Sequence, residues 1–153
     1  MSSNDRYPAV LIVEDDPVQQ LFMRILCEKL GFEVDLVANG SDALRAIENC
    51  IGCYDAILMD WKMPTMDGLA ATRAIRELES ASGVHTPIIA VTAKSLKGDR
   101  EHCLEAGMDD YLSKPFKADV FRSTLLHWTY NASGQNLKFL HGQIGKTPSG
   151  DQF

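Results

Sequence analysis

Ala56-Ile57-Leu58-Met59-Asp60-Trp61-Lys62-Met63-Pro64-Thr65-Met66-Asp67-Gly68 is the stretch on which the fold turns. Four consecutive apolar residues give way in one step to a carboxylate and then to a loop punctuated by Pro and Gly. An apolar run this short reads as a strand covered on both faces, which places Asp60 at its carboxyl end. The pattern recurs along the chain. Ala9-Val10-Leu11-Ile12-Val13 ends in Glu14 and Asp15; Pro87 leads Ile88-Ile89-Ala90-Val91 into the loop Thr92-Ala93-Lys94-Ser95; and the short run Tyr111-Leu112 precedes Lys114-Pro115. Glu33-Val34-Asp35-Leu36-Val37-Ala38 alternates instead, as a half-exposed strand does.

Helical signals fill the gaps. Asp16 can cap and Pro17 can open a helix whose Val18, Leu21, Phe22 and Ile25 repeat at helical spacing, with Gly31 as its stop. Asn39-Gly40-Ser41 turns into a short helix marked by Ala43, Leu44 and Ile47. Asp67 can cap a third helix carrying Ala71, Ala74, Ile75 and Leu78. Residues 98–106 form a weak, mostly polar helix stopped by Gly107, and a last helix is expected from 116 to about 128, with Phe121, Leu125 and Trp128 on one side. Five strand-helix units in alternation predict parallel strands with right-handed crossovers and helices on both faces, a doubly wound α/β sheet. In such sheets ligands bind beyond the carboxyl ends of the strands, which gathers Glu14, Asp15, Asp60, Thr92 and Lys114 at one edge.

With 153 residues, 45% of them hydrophobic, the chain can bury one core. The expected organisation is an arm over 1–8, a domain over 9–130 and a flexible tail over 131–153, where Leu137, Phe139 and Leu140 form an apolar cluster. A net charge of -6 without a basic stripe argues against direct nucleic-acid binding. Apolar stretches of four or five residues argue against a membrane span, and the polar start against an export signal, so a cytoplasmic location is expected. Most of Cys27, Cys50, Cys53 and Cys103 are expected to be plain core or half-buried thiols. Cys50 and Cys53 have redox spacing, but the pair leaves a helix and enters a strand, the reverse of a thiol-disulfide site, so no redox role is expected. His85, His102, His127 and His141 are scattered and read as ordinary surface residues, Trp128 as packing, and Trp61 as a natural reporter of events at Asp60.

Three carboxylates and one lysine converging on loops are a hard-oxygen site that suits Mg²⁺ better than zinc, since no His or Cys lies in these loops. A cation with open positions, a lysine and a hydroxyl form a receptor for phosphoryl oxygens, with the adjacent carboxylate as nucleophile.

The acid pair in Leu11-Ile12-Val13-Glu14-Asp15-Asp16, the Asp60 loop with Met63-Pro64 and Asp67-Gly68, Thr92-Ala93, and Lys114-Pro115-Phe116 stand in order and at spacings that resemble response-regulator receiver domains, the phosphoacceptor modules of two-component signalling. The resemblance covers residues 9 to about 128 and implies a flavodoxin-like (βα)5 sheet with strand order 2-1-3-4-5. It implies that Asp60 accepts a phosphoryl group from a histidine kinase's phosphohistidine or exchanges one with a histidine phosphotransfer protein. Asp15, Asp60 and the main-chain carbonyl of Lys62 would hold Mg²⁺, or Mn²⁺ in its place, while Glu14 acts through water. Lys114 would pair with Asp60 and then with the phosphoryl oxygens, its bond to Pro115 being cis. Thr92 and the backbone at Ala93 would bind the phosphoryl group, Tyr111 would follow Thr92 inward, and Lys62 and Lys94 would tune phosphoryl lifetime. Partners would read the surface of the fourth helix, fifth strand and fifth helix. The stretch from Lys97 to Pro115 most resembles receivers attached to hybrid histidine kinases, which points to a phosphorelay and to either a stand-alone regulator or a fragment of a kinase.

Two other functions share parts of this pattern. A magnesium-dependent aspartyl phosphatase needs a second Asp two residues after its nucleophile, where Lys62 stands. A flavin-binding module needs hydroxyl donors in the first loop, where Glu14-Asp15-Asp16 would repel a phosphate. The pattern as a whole favours a receiver, a self-phosphorylating signalling module rather than an enzyme with external substrates.

Overall fold

A computed structural model of the chain describes residues 8–61, 63, 66–93 and 98–130. The runs identified above become β1 (Ala9–Val13), β2 (Glu33–Val37), β3 (Ala56–Met59), β4 (Ile88–Thr92) and β5 (Asp110–Ser113), and the intervening segments become α1 (Pro17–Lys29), α2 (Gly40–Asn49), α3 (Gly68–Glu79), α4 (Asp99–Ala106) and α5 (Ala118–Thr129). All strands are parallel, in the order β2-β1-β3-β4-β5. This is the doubly wound, flavodoxin-like sheet expected from the alternation.

Both sheet faces are sealed. In β1, Leu11 and Val13 join one apolar cluster with Ala43, Ile47, Ala71 and Ile75 of α2 and α3. Val10 and Ile12 join the other, with Met23, Cys27, Phe121 and Leu125 of α1 and α5. Strands β3 and β4 are buried throughout, which is why they lack the polar alternation of the edge strand β2. The chain leaves β1 toward β2 on one side and later returns to β3 on the other, and between those two strands the crevice opens.

Local chemistry sets the helix starts. Asp16, Asn39 and Asp67 cap α1, α2 and α3, their side chains accepting from the backbone N–H of Val18, Asp42 and Ala70. Helix α4 ends on Gly107 at φ 111°, a left-handed conformation that glycine tolerates. Gly68 is fixed by space rather than by φ: a Cβ there would lie 2.3 Å from the carbonyl oxygen of Asp60, because α3 begins against the end of β3.

Several expectations change. Val18, Leu21, Phe22 and Ile25 lie on α1, yet they form its exposed side, at 71, 58, 44 and 44% exposure, while Met23 and Cys27 are the residues buried against the sheet. Spacing identified the helix, but two apolar stripes run along it and spacing does not say which one the sheet covers. The last helix starts at Ala118 rather than at 116, because Lys117 is still extended (φ -84°, ψ 149°). Cys50 and Cys53 are not plain thiols: their sulfurs are bonded across the turn beyond α2. His85 is no ordinary surface residue; its Nε2 lies 2.8 Å from Asp109 Oδ1. Trp128 is half-buried as expected and also donates its Nε1–H to Asp110 at 2.7 Å.

A polar network gathers at the amino end of the sheet. Arg76 on α3 donates to Gly107 O (2.9 Å), Thr86 O, Glu79 Oε1 and Asp109 Oδ2 (each 2.8 Å). Glu79 and Asp109 in turn accept from the backbone N–H of Thr86 and Ile88. One guanidinium thereby ties α3 to the entrances of β4 and β5.

Among the described residues, no helix is long and apolar enough to cross a membrane. The expected arm and tail lie almost wholly outside the described residues.

Candidate functional site

The ladder hydrogen bonds run one step past the strands and align the residues just beyond them. Glu14 N–H donates to Val37 O, Asp60 N–H to Val13 O and Lys114 N–H to Thr92 O, at 3.1, 3.0 and 2.9 Å. Glu14, Asp60 and Lys114 are therefore each set by backbone pairing at a strand terminus rather than by a free loop.

The structure brings the expected acids together. Carboxylate oxygens of Glu14, Asp15 and Asp60 all lie within 4.8 Å of one another. Glu14 and Asp60 are buried, at 2 and 8% exposure, whereas Asp15 is open to solvent. Glu14 is held on both oxygens: Lys114 Nζ donates to Oε1 at 3.0 Å, and the Asp16 N–H donates to Oε2 at 3.2 Å. Gln20, one turn into α1, donates its side-chain amide to the Glu14 carbonyl at 2.6 Å. The resemblance paired Lys114 with Asp60; the ion pair recorded here joins it to Glu14. The Lys114–Pro115 peptide is cis, as expected.

Thr92 is buried at the end of β4 and Ala93 is exposed beside it. A cleft of about 470 Å³ is lined by Glu14, Asp16, Gln19, Ala93, Lys114 and Pro115. Trp61 packs in the core next to Asp60, with its ring edge-on to His102. Tyr111 on β5 is half-buried, and burial raises its phenol above the ordinary value. Lys62 and Lys94 lie outside the described residues.

Three carboxylates this close repel one another, and Lys114 supplies one positive charge against three negative. The donors are all hard oxygens, and two of the three acids are withdrawn from water, a set that fits Mg²⁺. Clustered carboxylates with an ammonium beside them are a kind of arrangement that can hold a cation and, through it, phosphoryl oxygens.

Residues 10–126 match the family described as the response regulator receiver domain. The chain belongs to that family. A hybrid signal transduction histidine kinase (I) of Dictyostelium discoideum is 47% identical over 109 residues, 69% of this chain and 6% of the kinase. The sensor histidine kinase GacS of Pseudomonas protegens is 40% identical over 127 residues, 82% of this chain and 14% of that protein. The receiver domain thus spans a small part of the curated relatives it matches. Among solved structures, the receiver domain of a sensor histidine kinase from Pseudomonas aeruginosa superposes with a TM-score of 0.71 at 47% identity, covering 80% of this chain and 98% of that one. That structure holds a magnesium ion coordinated in its active-site cleft. A Saccharomyces cerevisiae receiver domain, crystallised with its histidine phosphotransfer protein, matches at TM-score 0.72 and 28% identity over 81% of this chain and 91% of its own. Receivers of this kind are phosphoacceptors of two-component phosphorelays, and the fold and family expected from the motifs are those found.

Gln20 and Gly68 were not singled out by the sequence as parts of the site. Gln20 carries no motif, since its role depends on where the first helical turn passes Glu14. Gly68 was visible only as half of Asp67-Gly68, with no hint that Asp60's own carbonyl excludes a side chain there.

Proposed function

We propose that Asp60 is the phosphoacceptor of this receiver domain and that Glu14, Asp15, Thr92 and Lys114 serve it. The observation that carries this reading is the convergence of the three carboxylates at the ends of β1 and β3, with Lys114 ion-paired inside the same cluster. An Asp60 oxygen attacks the phosphorus of a phosphohistidine, the P–N bond breaks, its electron pair returns to the imidazole, and an acyl phosphate remains on Asp60. Asp15, Asp60 and the Lys62 carbonyl would hold Mg²⁺, with Mn²⁺ as a substitute and Glu14 acting through water; the ion supplies charge neutralisation to the phosphoryl oxygens. Lys114 leaves Glu14 for the phosphoryl group, and the Thr92 hydroxyl and Ala93 N–H donate to it. Water later cleaves the acyl phosphate at a rate tuned by Lys62 and Lys94. Tyr111 moves inward after Thr92 and alters the surface of α4, β5 and α5 for a downstream reader.

The exposed stripe on α1 favours a seat for the phosphotransfer partner. Phe22 meets Phe116 at 5.8 Å between ring centroids, and Phe116 follows the Lys114–Pro115 edge of the cleft, so the exposed stripe of α1 reaches the chain segment that forms an apolar rim next to that edge. A protein presenting a histidine to Asp60 must cover this rim.

Incubation with Mg²⁺ and acetyl phosphate tests the proposal, read by intact mass and Trp61 fluorescence. The wild-type chain is expected to gain one alkali-labile phosphoryl group and Asp60→Asn none. Equal gain in both would remove Asp60 from its role, and continuous turnover of phosphate esters would favour a phosphatase.

A further inference from the structure

Cys50-Ile51-Gly52-Cys53 lies at the opposite end of the sheet from Asp60, where α2 gives way to β3. Helix α2 ends with Cys50 as its cap, and the chain reverses through Gly52, whose φ of 86° is open to glycine and strained for other residues. The turn closes with Cys53 N–H donating to Cys50 O at 3.3 Å, and the two Cα atoms stand 5.6 Å apart. That separation is within the span a disulfide bridges, and the backbone sets it without help from the sulfurs. Cys50 is exposed and Cys53 half-exposed, on the wall of a cleft of about 660 Å³ that also includes Glu33, Asp35 and Tyr54. The other two cysteines contrast with this pair. Cys27 and Cys103 are fully buried, and burial pushes their thiols up to about 12 and about 11, so neither ionises readily or meets a reagent.

We propose that Cys50 and Cys53 form a reversible thiol–disulfide site that exchanges with small disulfides such as oxidised glutathione. One thiolate attacks a glutathione sulfur and releases the first glutathione thiolate. The second cysteine then displaces the other, so that two protein thiols are oxidised, one glutathione disulfide is reduced, and the two protons pass to the two glutathiones. Because the turn is closed by its own hydrogen bond and by Gly52, both redox states keep the same backbone and the fold survives either one. The carboxyl end of α2 and the carboxylates of Glu33 and Asp35 oppose a thiolate here, which favours the uncharged bonded state and suits a slowly equilibrating sensor rather than a catalyst of exchange.

The test equilibrates the full chain in glutathione buffers from fully reduced to fully oxidised, alkylates it under native conditions, and reads intact mass. Two alkyl groups are expected in the reduced limit. None are expected in the oxidised limit, with a mass lower by two hydrogens and a single transition between the limits. Cys50→Ser and Cys53→Ser should each retain one alkylated thiol and form a glutathione adduct when oxidised. Two alkyl groups at every ratio, or wild-type protein that collects glutathione adducts in place of the internal bond, would overturn the proposal.

Discussion

Gly68→Ala sets two physical effects against each other. At the first position of α3, alanine is the better helix former and would add about 0.5–1 kcal/mol if there were room. There is none: the new Cβ would stand 2.3 Å from Asp60 O and 3.0 Å from both Met59 Cγ and Trp61 Cα. Ordinary contact begins near 3.4 Å, so the Asp60 carbonyl, or the start of α3, has to move by about an ångström. Overpacking of this kind costs about 1–3 kcal/mol, and the upper half applies because the struck atom is backbone rather than a side-chain tip. The expected net loss is about 2 kcal/mol, which lowers the melting temperature by about 6–12 °C for a domain of this size. Thermal unfolding by circular dichroism measures the first part. Phosphoryl uptake from acetyl phosphate measures the second, since a shift of about 1 Å at a reacting group can slow it by about a hundredfold. A variant that melts at or above the wild-type temperature and takes up phosphate at the wild-type rate would refute the reasoning.

Arg76→Met takes the guanidinium from Glu79 and Asp109, whose side chains are only 4 and 12% exposed, and leaves each carboxylate with a backbone N–H but no strong cation. A loss of about 3–5 kcal/mol in urea unfolding is expected, and a loss under about 1 would mean that the network does not anchor β4 and β5. Tyr54 is raised above its ordinary value of 10, first by burial and then by its hydrogen bond to Asp35. The unfolded chain therefore loses that proton at lower pH than the fold does, and stability falls as pH rises above about 10; Tyr54→Phe should flatten the slope between pH 9 and 11. Phe22→Ser should slow transfer from a histidine phosphotransfer protein by about tenfold while leaving acetyl phosphate uptake unchanged, and equal transfer rates would remove α1 from the docking rim. Lys62→Asn should change the decay rate of the acyl phosphate without changing the melting temperature, as a chase in phosphodonor-free buffer can measure.

The sheet and its functional edge were legible because they rest on short-range signals: apolar runs ending in Glu14, Asp60 and Thr92, and caps such as Asp16 and Asp67. Each names its own element, and parallel pairing does the rest. What escaped depends on neighbours distant in sequence. The outward stripe of α1 cannot be told from an inward one until the sheet is in place, since Met23 and Cys27 alternate with Phe22 and Ile25. The Arg76 network draws on Thr86, Gly107 and Asp109, ordinary residues in isolation. A redox role for Cys50 and Cys53 was discounted by an argument about thiolate stabilisation, which bears on catalysis and not on whether a Gly52 turn brings two sulfurs together.

The ion pair between Glu14 and Lys114 joins residues a hundred positions apart. During synthesis the acids of β1 and β3 emerge well before the lysine that completes their cluster, and β5 must dock at the far edge of the sheet to deliver it. Contacts this distant in sequence form late, because loop closure costs entropy before the contact returns any stability. A chain that has folded only its first three units can own Asp60 and its neighbouring acids and still lack a finished receptor. The cluster at the carboxyl edge is therefore complete only once the last strand in the sequence has docked, so the site and the sheet are finished in the same step.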